Sequence, residues 1–500
     1  MMNRNGHRTD DDQVLPWTIG LVNSQFRYLT AENFGCKINA NGIGLKKKQT
    51  WNLEWMEDGE AVSLRSHQGK YLAVDQFGNV TCEIEDKGAE ATFQIFVADD
   101  RDGKWALQSL VRGYFLGASK DKVVCTAKIP GPAELWDVHL ATRPQVLLRS
   151  FGRRRFARLL SNMNEIRFDA NIPWGEDTLF TLIYDSGKYS LHTGDGRCLH
   201  ADGKLVDKVG QDCRFTLEFH NKYLALKAAD GRYLAPVGSK AILRTRTHSI
   251  SKDELFTLEV SQPQVAFAGV SGKMVSVRQG VDVTANQDEI CDHETFQLEI
   301  DNSSKRWYVR TIENRYWCLG SNGGIQATDC NRIPSSSFDL VWNQNGSVSF
   351  LAYNGRFVAA KKNGQLFVNS DRVEKMENFY LFLVNRSRIV IRCDQGFVGY
   401  KSATSQKLEC NKSEYETIVI EKGKEPGIYY LQDGKSKKYW RVFEDEIVVD
   451  SDVPQGFYLE IREPSKLSLK TSSGNYLVAK KNGILKVGDN NPESATLWEF

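Results

Sequence analysis

The sequence predicts an all-β protein assembled from repeated hairpin units that close on themselves. Two distant stretches read almost alike, "NGRFVAAKKNGQLFV" at 354–368 and "SGNYLVAKKNGILKV" at 473–487. Each sets Asn-Gly between an aromatic-aliphatic pair and a new apolar alternation, the pattern of a strand, a tight turn and a returning strand. Gly364 and Gly483 stand 119 residues apart, an interval that suits a whole domain. Composition agrees: 11 Trp, 25 Phe and 18 Tyr with only 12 Pro favour strands, and sustained helical periodicity is absent.

Taken in order, the hairpin openings fall at Tyr28, Tyr71, Tyr114, Phe156, Cys198, Tyr233, Met274, Tyr316, Phe357, Phe397, Tyr439 and Tyr476, with gaps of 35 to 43 residues. Each unit closes with an apolar alternation, from "TWNLEW", "TFQIFV" and "LWDVHL" through "TFQLEI" and "SFDLVW" to the final "LWEF". A 40-residue unit of short strands suits either a propeller blade or one third of a β-trefoil. No Gly-His or Trp-Asp blade signature occurs, and likeness is strongest at the three-unit interval. The reading is therefore four tandem β-trefoil domains of three hairpin units each. One unit exposes an apolar face that only two sister units can bury, and closure removes its strand edges. The expected organisation is a flexible tail over 1–15 and trefoils over 16–143, 144–262, 263–385 and 386–500.

Several function classes are disfavoured. A formal net charge of +2 is far from the basic balance of a nucleic-acid binder, so no nucleic-acid partner is expected and any basic site must be local. The opening "MMNRNGHRTDDDQ" lacks an apolar core of signal-peptide length, and no run of 18 apolar residues follows; a soluble intracellular protein without membrane insertion is expected. Ten cysteines occur without a C-x-x-C pair, mostly inside strand patterns such as "NVTCEI", and read as buried free thiols. Eight scattered histidines and the lack of G-x-S-x-G, H-E-x-x-H or P-loop motifs leave no catalytic residue, metal site or cofactor to nominate. Trefoils also host sugar-binding proteins, so a lectin-like function is the alternative. Such lectins tend to repeat Gln-x-Trp in each third, whereas here it occurs once, at Gln49-Thr50-Trp51.

Basic clusters are the features left to carry function: Lys46-Lys47-Lys48, Arg153-Arg154-Arg155, Lys361-Lys362, Lys437-Lys438 and Lys480-Lys481. An isolated basic pair is ordinarily a solvated turn. A triplet in extended chain presents at least one charge on each face.

The segments "RYLTAENFGCKINA", "LKKKQTW", "LRSHQGKYLAVDQFGNVTCE", "GRYLAP", "VSVRQGVDVTANQDE", "ETFQLEID" and the two "AKKNG" turns closely resemble the fascin family, in the family's order from about Trp17 to Phe500. The resemblance implies a monomeric cytoplasmic crosslinker that packs parallel actin filaments into bundles of the cytoskeleton in filopodia and other cell protrusions. It further implies one actin-facing surface where the first and fourth trefoils meet, built from Arg27, Lys37, Lys46, Lys47, Lys48, Lys401 and Lys481. A second surface would use Arg153 and Arg155 with Arg356 and Lys361. Three positions depart from the family pattern: Gln395 replaces a frequent His, Val478 a basic residue, and Gly44 the regulatory Ser before the lysine triplet. The implied binding surface is kept and its phosphorylation switch is lost.

Overall fold

The computed structural model describes residues 15–57, 59, 61–98, 103–141 and 143–500. The expected flexible tail falls, up to residue 14, outside the described residues. Leu15 is already tied down, its N–H donating to Leu258 O at 2.9 Å. Among the described residues every helical segment is a single 3-10 turn, and the remaining regular structure is strand. Four antiparallel sheets follow one another along the chain, spanning Thr18–Leu140, Gln145–Glu259, Gln264–Leu383 and Arg388–Glu499.

The first domain shows how three units close. Strands Thr18–Val22, Trp51–Trp55, Ala61–Ser66, Phe93–Val97 and Trp105–Ser109 pair in series, Asp137–Leu140 returns to the first, and a Trp105–Trp136 bridge completes the ring. Three hairpins cap one end and touch pairwise through Lys37–Thr81, Asn79–Val124 and Asn39–Lys122. Buried tryptophans anchor the hairpins from inside: Trp51 donates to Leu29 O at 3.1 Å and Trp136 to Leu116 O at 3.0 Å. The four domains are β-trefoils.

The aromatic openings have a structural cause. A register shift follows Tyr28, Tyr71, Phe156, Tyr233, Tyr316, Phe357 and Tyr439, so the unit begins at a β-bulge that bends its hairpin over the barrel end. The tyrosines do a second thing. Tyr71, Tyr233, Tyr316, Tyr439 and Tyr476 donate to Glu54, Glu218, Glu299, Glu421 and Glu460 at 2.8–3.1 Å, each Glu lying in the preceding closing strand. The glutamates that alternation marks as outward-facing thus fasten one unit to the next.

The repeated Lys-Lys-Asn-Gly turn differs in detail from the sequence expectation. Only the glycine takes positive φ, +86° at Gly364 and +89° at Gly483. Asn363 and Asn482 instead accept the N–H of Gln365 and Ile484 through their side chains, at 3.1 and 3.2 Å. Gly364→Val and Gly483→Val each incur roughly 1–2 kcal/mol of backbone strain. At Gly483 a Cβ would also overlap the Asn411 side-chain amide, while at Gly364 the nearest atom is Ala285 O at 3.0 Å. Both variants are expected to melt below the wild type in thermal denaturation, Gly483→Val by the larger margin; equal midpoints would show that the turn is not under this constraint.

Apolar packing does not stop at domain borders. Buried residues of the first and second domains form one continuous core, and those of the third and fourth another. Trp17 and Trp105 set their edges on Phe219 at 5.1 and 5.5 Å, geometry worth about 0.5–1.5 kcal/mol per pair beyond area burial. The seams between the two halves are more polar: Gln145 donates to Arg388 O at 2.9 Å and Tyr415 to Leu182 O at 2.8 Å.

Candidate functional site

The lysine triplet ends at a junction between the first and fourth domains. After strand Ile38–Gly42 the chain passes Gly44 and turns through a 3-10 helix over Lys47–Gln49, so the triplet is not extended as the sequence reading supposed. Lys46 and Lys47 remain exposed, whereas Lys48 Nζ pairs with Glu32 at 2.8 Å. That hydrogen bond, with one from Asn39, holds Glu32 below the usual carboxylate range. Burial lowers the pKa of His67, and Lys47 and Lys48 push it further down, so its ring adds no positive charge at neutral pH.

Across the junction stand Ser413 and the strand Leu408–Lys412. Gly44 is buried against Ser413, and a Cβ at Gly44 would lie 2.5 Å from Ser413 Cβ. On the far side of the same strand, Asn411 donates to Asn482 O and the Cys410 N–H to Gly483 O at 2.8 Å, seating the turn that carries exposed Lys480 and Lys481. Lys401 O accepts from Lys412 Nζ at 2.9 Å, and the Lys401 side chain is more than half exposed. The strand thus links Lys46 and Lys47 to Lys401 and Lys481. Arg27 is exposed in the turn held by Asn23, and Lys37 lies on the three-hairpin cap of the first domain.

The second group is more dispersed. Arg153, Arg154 and Arg155 form the tip of the hairpin closed by Ser150 and Phe156, with Arg154 at φ +54°. All three are exposed, and none has a carboxylate within 4 Å among the described residues. Arg356 faces Asp371 at 3.5 Å in the third domain, while Lys361 lies 3.5 Å over the Phe367 ring, a cation–π contact that fixes its stem. No hydrogen bond or ion pair among the described residues joins the arginine tip to Arg356 or Lys361.

The three departures from the family pattern also find their places. Val478 is buried, so a charge there would have no solvent to enter. Gln395 is half-buried with its Oε1 3.9 Å from Cys410 Sγ. Gly44 does not have positive φ, so its constraint is the close approach of Ser413 and not a turn conformation. Gly44→Ser should therefore separate the first and fourth domains locally before it offers a kinase any hydroxyl. The expected result is a lowered melting midpoint with no phosphate gained near the triplet on kinase treatment; unchanged melting with stoichiometric phosphorylation would restore the switch reading.

Sequence reasoning missed the residues that hold this junction together. Glu499 accepts from Arg143 Nε at 2.7 Å and Arg392 Nε at 2.5 Å, and Arg392 also reaches Ala141 O. Burial pushes the Glu499 carboxyl up, but Arg392 and Arg143 outweigh it and hold the group ionised. Tyr28 is raised to about 12 by burial, with Glu414 of the fourth domain and Asp137 adding to it. A cavity of about 260 Å³ opens between these walls, lined by Lys46, His139, Tyr184, Arg392, Cys393 and Ser413. His139 is half-buried there, its pKa lowered to about 3 by desolvation, and it is bonded to Tyr28 Oη at 2.9 Å.

The family model of the Fascin domain matches residues 25–138, 147–258, 270–381 and 386–500. Fascin-2 of Bos taurus is 42% identical over 492 residues, covering 98% of this chain and 99% of its own length. Fascin-2 of Mus musculus is 41% identical over the same length and coverage. A fascin of Strongylocentrotus purpuratus is 32% identical over 509 residues, covering 97% and 99%. Four consecutive matches and these near-complete alignments, on a chain of four trefoils, place the protein in the fascin family.

Proposed function

We propose that the protein is a monomeric, non-enzymatic crosslinker that bundles parallel actin filaments in cytoplasmic protrusions through two basic surfaces. Membership of the fascin family is the observation that carries this reading. The arrangement of charge supports it. Actin filaments are acidic, so a binder needs clustered cations, and a bundler needs two clusters that can reach different filaments. Lys46, Lys47, Lys401 and Lys481 gather around the contact between the first and fourth domains. The arginine tip of the second domain, with Arg356 and Lys361 of the third, supplies the other group. Phosphoserine control at position 44 is absent from this chain.

Paired sedimentation with filamentous actin tests the proposal. Low-speed pelleting should report bundles and high-speed pelleting bound monomer, each falling as salt is raised, because screening shortens to about 8 Å near physiological ionic strength. Filaments that stay in the low-speed supernatant at low salt would overturn the reading. Bundling indifferent to salt would overturn its electrostatic basis.

A further inference from the structure

The fourth domain brings two cysteines close together beneath the Lys480-Lys481 turn. Cys393 lies at the end of the short Arg392–Cys393 strand, half-buried on the wall of the cavity between domains, and its Sγ donates to Cys410 O at 3.4 Å. Cys410 is buried in strand Leu408–Lys412, one strand removed across Gly396–Tyr400, and the Cys393 sulfur lies against its backbone. Cys410 Sγ also donates to Gly483 O at 3.2 Å, the same oxygen that receives its backbone N–H. One sulfur therefore has access to solvent, and the other helps to seat a turn that bears two exposed lysines.

The surroundings divide the roles. With Cys393 ionised, the single Cys410 S–H turns from Gly483 O to the thiolate, and that hydrogen bond holds Cys393 below the usual thiol range against the effect of burial, helped by the N–H groups of Gln395 and Gly396. Cys410 is shifted the other way by that hydrogen bond and by burial, and stays protonated. A thiolate beside a resolving thiol is the arrangement that oxidises selectively. The paired sulfurs differ in this from Cys291 and Cys330, which are exposed on the third domain.

We propose that Cys393 and Cys410 form a redox pair that hydrogen peroxide converts to a disulfide, withdrawing Cys410 from Gly483 and loosening the Lys480-Lys481 turn. The Cys393 thiolate attacks one peroxide oxygen and the O–O bond breaks, leaving a sulfenic acid and, after protonation, one water. The Cys410 thiol then attacks the Cys393 sulfur, the S–O bond breaks, and a second water leaves. Two thiols lose two electrons and the peroxide gains them.

The site itself is read by mass. Full-length protein treated with hydrogen peroxide, blocked at its remaining thiols and digested with trypsin should yield residues 393–401 joined to residues 408–412, with the mass of two hydrogens lost and both peptides regenerated by dithiothreitol. Cys393→Ser should abolish the joined species, and Cys410→Ser should leave a sulfenic acid at Cys393 that dimedone captures. Oxidation confined to Cys291 and Cys330, with Cys393 unmodified, would overturn the proposal. Its coupling to the turn rests on the actin reading: oxidised protein should give several-fold less low-speed pelleting, restored by dithiothreitol and insensitive in Cys393→Ser. A joined peptide with undiminished bundling would overturn the coupling. The mass readout stands or falls whether or not the reduced protein bundles actin, so failure of one reading is distinguishable from failure of the other.

Discussion

Arg153→Glu combined with Arg155→Glu is expected to abolish low-speed pelleting of actin filaments while the protein keeps its melting midpoint. The two side chains project from a hairpin tip, where the Arg153 guanidinium makes a long 3.4 Å hydrogen bond to Gly238 O. Substitutions at such positions change stability by about 0.5 kcal/mol or less. Each exposed ionic contact with a filament is worth roughly 0–1 kcal/mol, so loss of bundling comes from reversing a cluster and from the avidity that two surfaces share. Arg154 should be left in place, because φ of +54° makes its substitution a test of the backbone as well. The matching change on the first domain is Lys46→Glu with Lys47→Glu. Reversing Lys48 would break its pair with Glu32 and confuse binding with folding. Bundles that persist in either double variant would rule out the two-surface arrangement.

Glu460→Ala should destabilise the fourth domain by roughly 3–5 kcal/mol, the cost of leaving a buried charge without its partner. Glu460 is fully buried, and it accepts from Lys470 Nζ at 2.9 Å, Tyr476 Oη at 3.0 Å, Ser468 Oγ at 3.2 Å and Arg462. Lys470 is itself buried, flanked by the rings of Tyr458 and Tyr476, and no solvent is available to its ammonium once the carboxylate is gone. The double change Glu460→Leu with Lys470→Met removes both charges and should recover most of the loss, since buried ion pairs often exchange for apolar pairs at little net cost. Urea denaturation of the two variants decides the matter. Similar destabilisation in both would mean that packing at this site, and not the unpaired charge, sets the cost.

Much of this architecture is legible in the chain because trefoil units repeat local rules. An aromatic residue opens most hairpins, commonly where a bulge forms, glycine often supplies the positive φ of the turn, and an apolar alternation closes the barrel. What escaped reading depends on partners hundreds of residues away. Arg143 and Glu499 are 356 positions apart, and neither residue type nor spacing announces that they meet. Gly44 read as a missing serine, yet its size is dictated by Ser413, which only tertiary packing brings near. The polar positions of "FQLEI" misled for a related reason. Alternation assigns Gln297 and Glu299 to solvent, but that face looks across a cavity onto Arg149, Phe156 and Pro173 of the second domain, and Arg310 and Arg332 pair with the glutamate. The basic clusters were visible as sequence runs; which lysines stay unpaired was not.

The paired cores give the proposed crosslinker a mechanical character. A molecule strained between two sliding filaments transmits force along its own body, and resistance is lowest where apolar contact is thinnest. Within each half one apolar core runs across the border between trefoils, reinforced in the first half by tryptophan edges on Phe219, so neighbouring barrels deform together. Between the halves the joint consists largely of directional bonds such as Gln145 to Arg388 and Tyr415 to Leu182, which break over a short displacement and can form again. Shear is thus taken up at one seam, as two stiff plates sharing a joint, and the trefoils on either side keep their shape while a bundle bends.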